Sequence, residues 1–141
     1  MEFVKGQVIY YLKKEPGRTV KFTSLKTTYR VFHVNGSLGY YKINIDGKNS
    51  LITQQSSKFI PARLPNGSYE ELEPASFERN KDRLFIVFEK GNIREVPSKK
   101  RAFFKLFGKH SKQIKTYIEI QKLNYKVVED IEKIVQYWNE L

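Results

Sequence analysis

The sequence contains no cysteine, two histidines, one methionine and one tryptophan. Without cysteine there can be no disulfide framework, thiolate metal site, CxxC redox pair or cysteine nucleophile. With His33 and His110 as the only histidines, metal and triad chemistry has little to draw on. No apolar run approaches the roughly 18 residues that a membrane-spanning helix requires. The opening Met1-Glu2-Phe3-Val4-Lys5-Gly6 does not read as a signal peptide, and neither internal repeats nor low-complexity tracts occur. Acid is the scarcer charge: 15 Asp and Glu stand against 26 Lys and Arg, for a net charge of +11.

What is present is a chain of 141 residues, 40% hydrophobic and 14% aromatic. That composition argues against wholesale disorder, and the length allows a real core. The chain reads as a single domain, residues 1–141, with a β-rich part (1–97) and a basic helical part (98–141). Its charge is segregated. Residues 1–60 are net +7, 61–97 net −1, 98–126 net +8 and 127–141 net −3.

The expected fold class is α+β: an antiparallel β-sheet followed by a short C-terminal segment of about three helices. Phe3–Leu12, Thr19–Thr23, Tyr29–Val34, Leu38–Ile45, Ser50–Gln54, Arg83–Glu89 and Ile93–Val96 are rich in β-branched and aromatic residues and read as strands. Pro16-Gly17, Asn35-Gly36, Asp46-Gly47 and Gly91-Asn92 supply turn chemistry between them. The continuous apolar centre of Arg83–Glu89 predicts burial on both faces, and Pro97 ends the ladder. Residues 56–80, punctuated by Pro61, Pro65, Asn66-Gly67 and Pro74, read as loop, with Phe59, Ile60, Tyr69, Leu72 and Phe77 as anchors onto the sheet.

From Ser98 the period changes to that of a helix. Ser98 and Ser111 are expected N-caps, and Gly108 a C-terminal stop. Ile114, Tyr117, Ile118 and Gln121 mark one face. Val128, Ile131, Val135 and Trp138 form an amphipathic stripe, with Glu129 and Asp130 where the helix dipole favours acids. Phe85, Val87, Phe103, Phe107, Ile118, Ile131, Val135 and Trp138 are the expected core.

Chemistry-bearing motifs are thin. Neither histidine has a partner at a definable spacing, so His33 reads as a strand residue and His110 as a solvated or capping one. Glu70, Glu71 and Glu73 lack the loop pattern of a cation site, and Gly36-Ser37-Leu38-Gly39 lacks the Gly-Lys-Ser/Thr ending of a phosphate loop. No catalytic, metal or cofactor-binding residues are therefore expected, and no enzyme. The strongest positive feature is Lys99, Lys100, Arg101, Lys105, Lys109, Lys112 and Lys115, interleaved with Phe103, Phe104 and Phe107. As a polyanion-binding surface these would attract phosphate, in nucleic acid or on an anionic membrane surface. As plain architecture, the phenylalanines pack inward and the lysines are the wet side, which accounts fully for the spacing. Eight of the nine basic residues in 98–126 are lysine, which suits diffuse attraction better than bidentate recognition.

From residue 59 onward a particular order of features runs to the C-terminus. Phe59-Ile60-Pro61-Ala62-Arg63 leads to Pro74-Ala75-Ser76-Phe77-Glu78, then to Gly91-Asn92-Ile93-Arg94-Glu95-Val96. Lys99-Lys100-Arg101-Ala102-Phe103-Phe104-Lys105-Leu106-Phe107 follows, and the chain closes with Glu129-Asp130-Ile131 and Tyr137-Trp138-Asn139-Glu140-Leu141. This order resembles that of small uncharacterised exported proteins of Bacteroidota-type bacteria, in which a β-rich domain precedes a Lys-rich helical tail. The resemblance implies a periplasmic or envelope location and carries over no catalytic residue. The expected function is a non-enzymatic, envelope-associated binding or protein-interaction module, with an unknown protein or anionic surface as partner. The alternative is a nucleic-acid-binding protein using segment 99–115 in a cytoplasmic setting.

Overall fold

The computed structural model describes residues 2–65 and 71–141. The Asn66-Gly67 turn, Tyr69 and Glu70 lie outside the described residues. Among the described residues ten strands precede the helices: β1 (Glu2–Lys5), β2 (Val8–Tyr11), β3 (Thr19–Phe22), β4 (Thr27–Val34), β5 (Ser37–Ile45), β6 (Ser50–Gln54), β7 (Ser57–Ile60), β8 (Ser76–Arg79), β9 (Arg83–Val87) and β10 (Ile93–Glu95). Six of them form one antiparallel sheet in the order β10-β9-β6-β5-β4-β3. It is a meander, interrupted once where β7 and β8 intervene between neighbours β6 and β9. The architecture is the expected α+β.

The turns follow their chemistry. Asn35 and Gly36 both take positive φ, 50° and 83°, as a tight hairpin between β4 and β5 demands. Phe3–Leu12, expected as one strand, is a hairpin: Gly6, at φ 64°, reverses the chain between β1 and β2.

Register divides the sheet's side chains between two faces. One face, carrying Leu51, Leu84 and Ile86, meets the helices: α1 (Lys100–Lys105), a 3₁₀ turn (Gly108–His110), α2 (Ser111–Gln121) and α3 (Val128–Glu140). Between the layers Phe103, Phe107, Ile114, Ile131, Ile134 and Val135 are at most 2% exposed. The opposite face holds a second cluster, Val34, Tyr41, Ile52 and Phe85, with Tyr41 edge-on to both Phe32 and Phe85. β9 is thus buried on both faces, as its apolar run predicts. Six of the eight expected core residues are buried, while Val87 and Trp138 are half-buried.

A β-bulge between Ile43 and Ile45 turns Asn44 as well as Ile45 toward the helices. Asn44 donates to Glu132 of α3 (2.8 Å) and accepts from the Thr53 hydroxyl (2.5 Å), so the interface carries a satisfied polar relay. At the end of α3 the Asn139 side chain completes the β5–β6 turn. Its oxygen accepts from the Asn49 backbone N–H, and its NH₂ donates to the Asn49 carbonyl, both at 2.9 Å. A Cβ at Gly47 would stand 2.7 Å from the Asn139 nitrogen, so a side chain there would have to push that amide aside.

Helix termini depart from expectation. Lys99, not Ser98, is the N-cap of α1, and no side chain caps it. Ser111 is the first residue of α2 rather than its cap, because the 3₁₀ turn runs straight into the helix. Gly108, at φ 51°, opens that turn after α1 has ended at Leu106. In α3 the expected acids, Glu129 and Asp130, occupy the first turn. The N–H of Asn124 donates to Asp130 (2.9 Å) and, with Lys133, holds its carboxyl below the ordinary value.

Candidate functional site

The seven basic residues singled out by sequence are all exposed, on α1, the 3₁₀ turn and α2. Phe103 and Phe107 are buried beneath them and Phe104 is half-buried. Lys115 lies 3.9 Å from Glu119; among the described residues the other six form no salt bridge. The surface therefore offers unneutralised charge, while its aromatic rings are spent on the core. Three of those rings pack edge to face, Phe103 on Phe104 and Phe107, and Phe107 on Trp138.

Among the described residues no group of three His, Asp or Glu side chains could hold a metal ion. His33 is exposed on β4, and His110 bonds Gln113 at 3.0 Å. Glu71 and Glu73 are exposed. Glu73 engages Arg63 through a backbone bridge, its carbonyl accepting at 2.9 Å.

Within residues 56–80, expected as loop with anchors onto the sheet, the described residues 57–65 and 71–79 form a projecting arm instead. β7 pairs with β8 from Ser57↔Arg79 to Ile60↔Ser76, and Arg63↔Glu73 extends the pairing. The arm continues the β6–β9 ribbon beyond the sheet. Asn80 N–H donates to the Ser56 carbonyl, Asn80 Nδ2 reaches Ser56 Oγ, and Arg79 pairs with Asp82 at 3.0 Å. Its apolar side chains do not anchor. Phe59 (55%) and Phe77 (75%) are exposed and lie against each other, rings 5.3 Å apart, and Ile60, Leu64 and Leu72 are exposed as well. Two-stranded ribbons are marginal in water without a packed face. These side chains are therefore available to something other than this chain's core.

A groove that sequence reasoning missed lies on the helix-facing side of the sheet, over the strands the helices leave bare. Register places Tyr29 beside Lys42, Val31 beside Tyr40 and His33 beside Leu38 on that side. Phe22, Leu25, Tyr29, Leu38, Tyr40 and Lys14 line an opening of about 590 Å³, and no helical residue contributes. The Tyr40 hydroxyl donates to the Lys13 carbonyl (3.2 Å), and the Tyr29 hydroxyl donates to Gln55 (2.7 Å). Phe22 stands edge-on to Tyr29, 5.7 Å between centroids.

Two ion pairs mark the opposite face. Arg83 forks onto Glu95 (2.8 and 2.6 Å) and lies over the Phe85 ring. Arg30 reaches Asp46 at 2.9 Å. The hydrogen bond from its arginine holds each carboxyl below its ordinary value, against a smaller opposing effect of burial. Burial pushes the Tyr41 phenol up.

No helix among the described residues is long and apolar enough to cross a membrane. No family model, curated protein or solved structure matches the chain.

Proposed function

We propose that this chain is a non-enzymatic protein-interaction module whose β7–β8 arm is the docking element. The observation that carries this reading is the Phe59–Phe77 pair, more than half exposed on a ribbon whose described residues join neither core cluster. Exposed apolar aromatics on a projecting ribbon are what a partner's pocket anchors on. The envelope location rests on the resemblance to exported proteins alone, and the arm reading does not depend on it. The helical lysines 99–115 support a secondary role in diffuse attraction, since they supply charge while Phe103 and Phe107 are turned into the core.

A photo-crosslinking residue at Phe77, compared with one at exposed Lys90 in the β9–β10 turn, tests the reading in the protein's own cells. A discrete adduct from position 77 and none from position 90 is expected. Equal labelling from both positions sinks the proposal. So does a marked loss of thermal stability on Phe59→Ser, because it would show that the rings serve this chain's own packing.

A further inference from the structure

We propose that the groove over β3, β4 and the start of β5 binds single-stranded nucleic acid, with bases against Tyr29 and Tyr40 and phosphates on the neighbouring lysines. This goes beyond the arm, and it places such binding away from the lysine-rich helices.

The rings come first. Phe22, Tyr29 and Tyr40 line one opening, and Phe22 meets Tyr29 at 85°. A flat base can lie on one ring and against the edge of the other. Base–aromatic stacking tolerates any sequence, because every base has a π-face. Both tyrosines are held from behind through their hydroxyls, by Gln55 and the Lys13 carbonyl. A ring fixed before binding loses less freedom on binding.

The charge around these rings has one sign. Lys14 lines the opening, Lys42 sits beside Tyr29 in register, and Lys26 follows Leu25 in the β3–β4 turn. No lining residue is acidic. Glu15, next to Lys14, is tied to Arg18 at 2.5 Å. A duplex would keep its bases from the rings, and a neutral apolar peptide would leave the lysines unanswered. The helical face has the opposite deficiency, with seven basic residues and its phenylalanines turned inward. On the helical face the tyrosines beside Lys112, Tyr117 and Tyr137, already stack on each other, centroids 4.0 Å apart, whereas in the sheet groove Phe22 and Tyr29 meet only edge to face.

The test is fluorescence anisotropy of a short labelled oligothymidylate and oligouridylate on the whole protein, beginning at about 50 mM salt, where phosphate contacts are strong. Heparin, the matching duplex and a mononucleotide are the competitors. Tyr40→Leu should weaken binding about tenfold, and Tyr40→Phe should restore it, since stacking needs the ring and not the hydroxyl. Lys14→Glu, on an exposed side chain that need not disturb folding, should weaken binding and flatten the salt dependence by about one phosphate. Phe77→Ser should change nothing, which separates this site from the arm. Three results each overturn the proposal: absence of oligonucleotide binding, equal competition by heparin or duplex, or losses that follow Lys109→Glu with Lys112→Glu rather than Lys14→Glu. Competition by mononucleotide as strong as by the oligomer would also overturn it, in favour of a small-molecule site.

Discussion

The β6–β9 pair and the β7–β8 pair are two stretches of one antiparallel ribbon, yet they have opposite fates. In the first, Leu51, Ile52, Phe85 and Ile86 are at most 2% exposed. In the second, Phe59, Ile60 and Phe77 stand in water. Pairing is regular in both, so the ladder does not make the difference. What differs is what lies above it: helices on one face of β6–β9 and the Tyr41 cluster on the other, and, among the described residues, no core cluster over the arm. Strand chemistry specifies the ribbon, and the layers specify which part of it is core.

Breaking the covered part should cost most. Phe103→Ala removes a fully buried ring between the layers and should lower unfolding free energy by about 3–5 kcal/mol in a urea titration. Next comes the Asn139 junction. Asn139→Ala should cost about 1–3 kcal/mol by leaving Asn49 backbone groups unpaired. Gly47→Ala should destabilise through the same contact, and the double variant should lose less than the sum of the two. Acid should have a smaller effect. Asp46 and Glu95 titrate below their ordinary values in the folded chain. Their contribution is therefore complete above about pH 5 and falls away as pH drops further. Both carboxylates are about half exposed, so screening keeps the effect modest. Asp46→Asn should flatten the acid limb of a stability–pH curve, and an unchanged limb would exclude this pair as its source. The smallest effect belongs to the arm: Phe77→Ser should leave unfolding within about 0.5 kcal/mol of the parent. A loss like that of Phe103→Ala would erase the contrast between the two ribbon segments.

Most of the sheet was legible because its turns announce themselves, Asn35-Gly36 above all, and because β9 is apolar throughout. The inward phenylalanines and outward lysines of α1 and α2 follow from helical period. The arm was not legible. Prolines and polar residues between 56 and 80 look like loop, and exposed Phe59 and Phe77 violate the expectation that large apolar side chains seek the core. Ile134, fully buried, escaped a stripe counted as 128, 131, 135 and 138. The groove was hidden for a different reason. Phe22, Tyr29 and Tyr40 meet only through strand register, and they stay open only because the helices stop short of them. Neither fact is local to any segment.

The Asn139 junction bears on how the chain emerges during synthesis. The turn it closes is made early, yet the residue that satisfies it lies 90 positions later. Until α3 leaves the ribosome, the β5–β6 turn lacks that partner and the helix-facing side of Leu51 and Ile86 lacks its cover. A nascent sheet in that state exposes apolar surface to other chains until α3 has emerged. Final closure from so distant a residue also makes folding of the intact chain slow relative to one built from local contacts. Pausing before α3 has emerged should therefore enrich aggregation, and chaperone dependence should fall once the last turn of α3 is free.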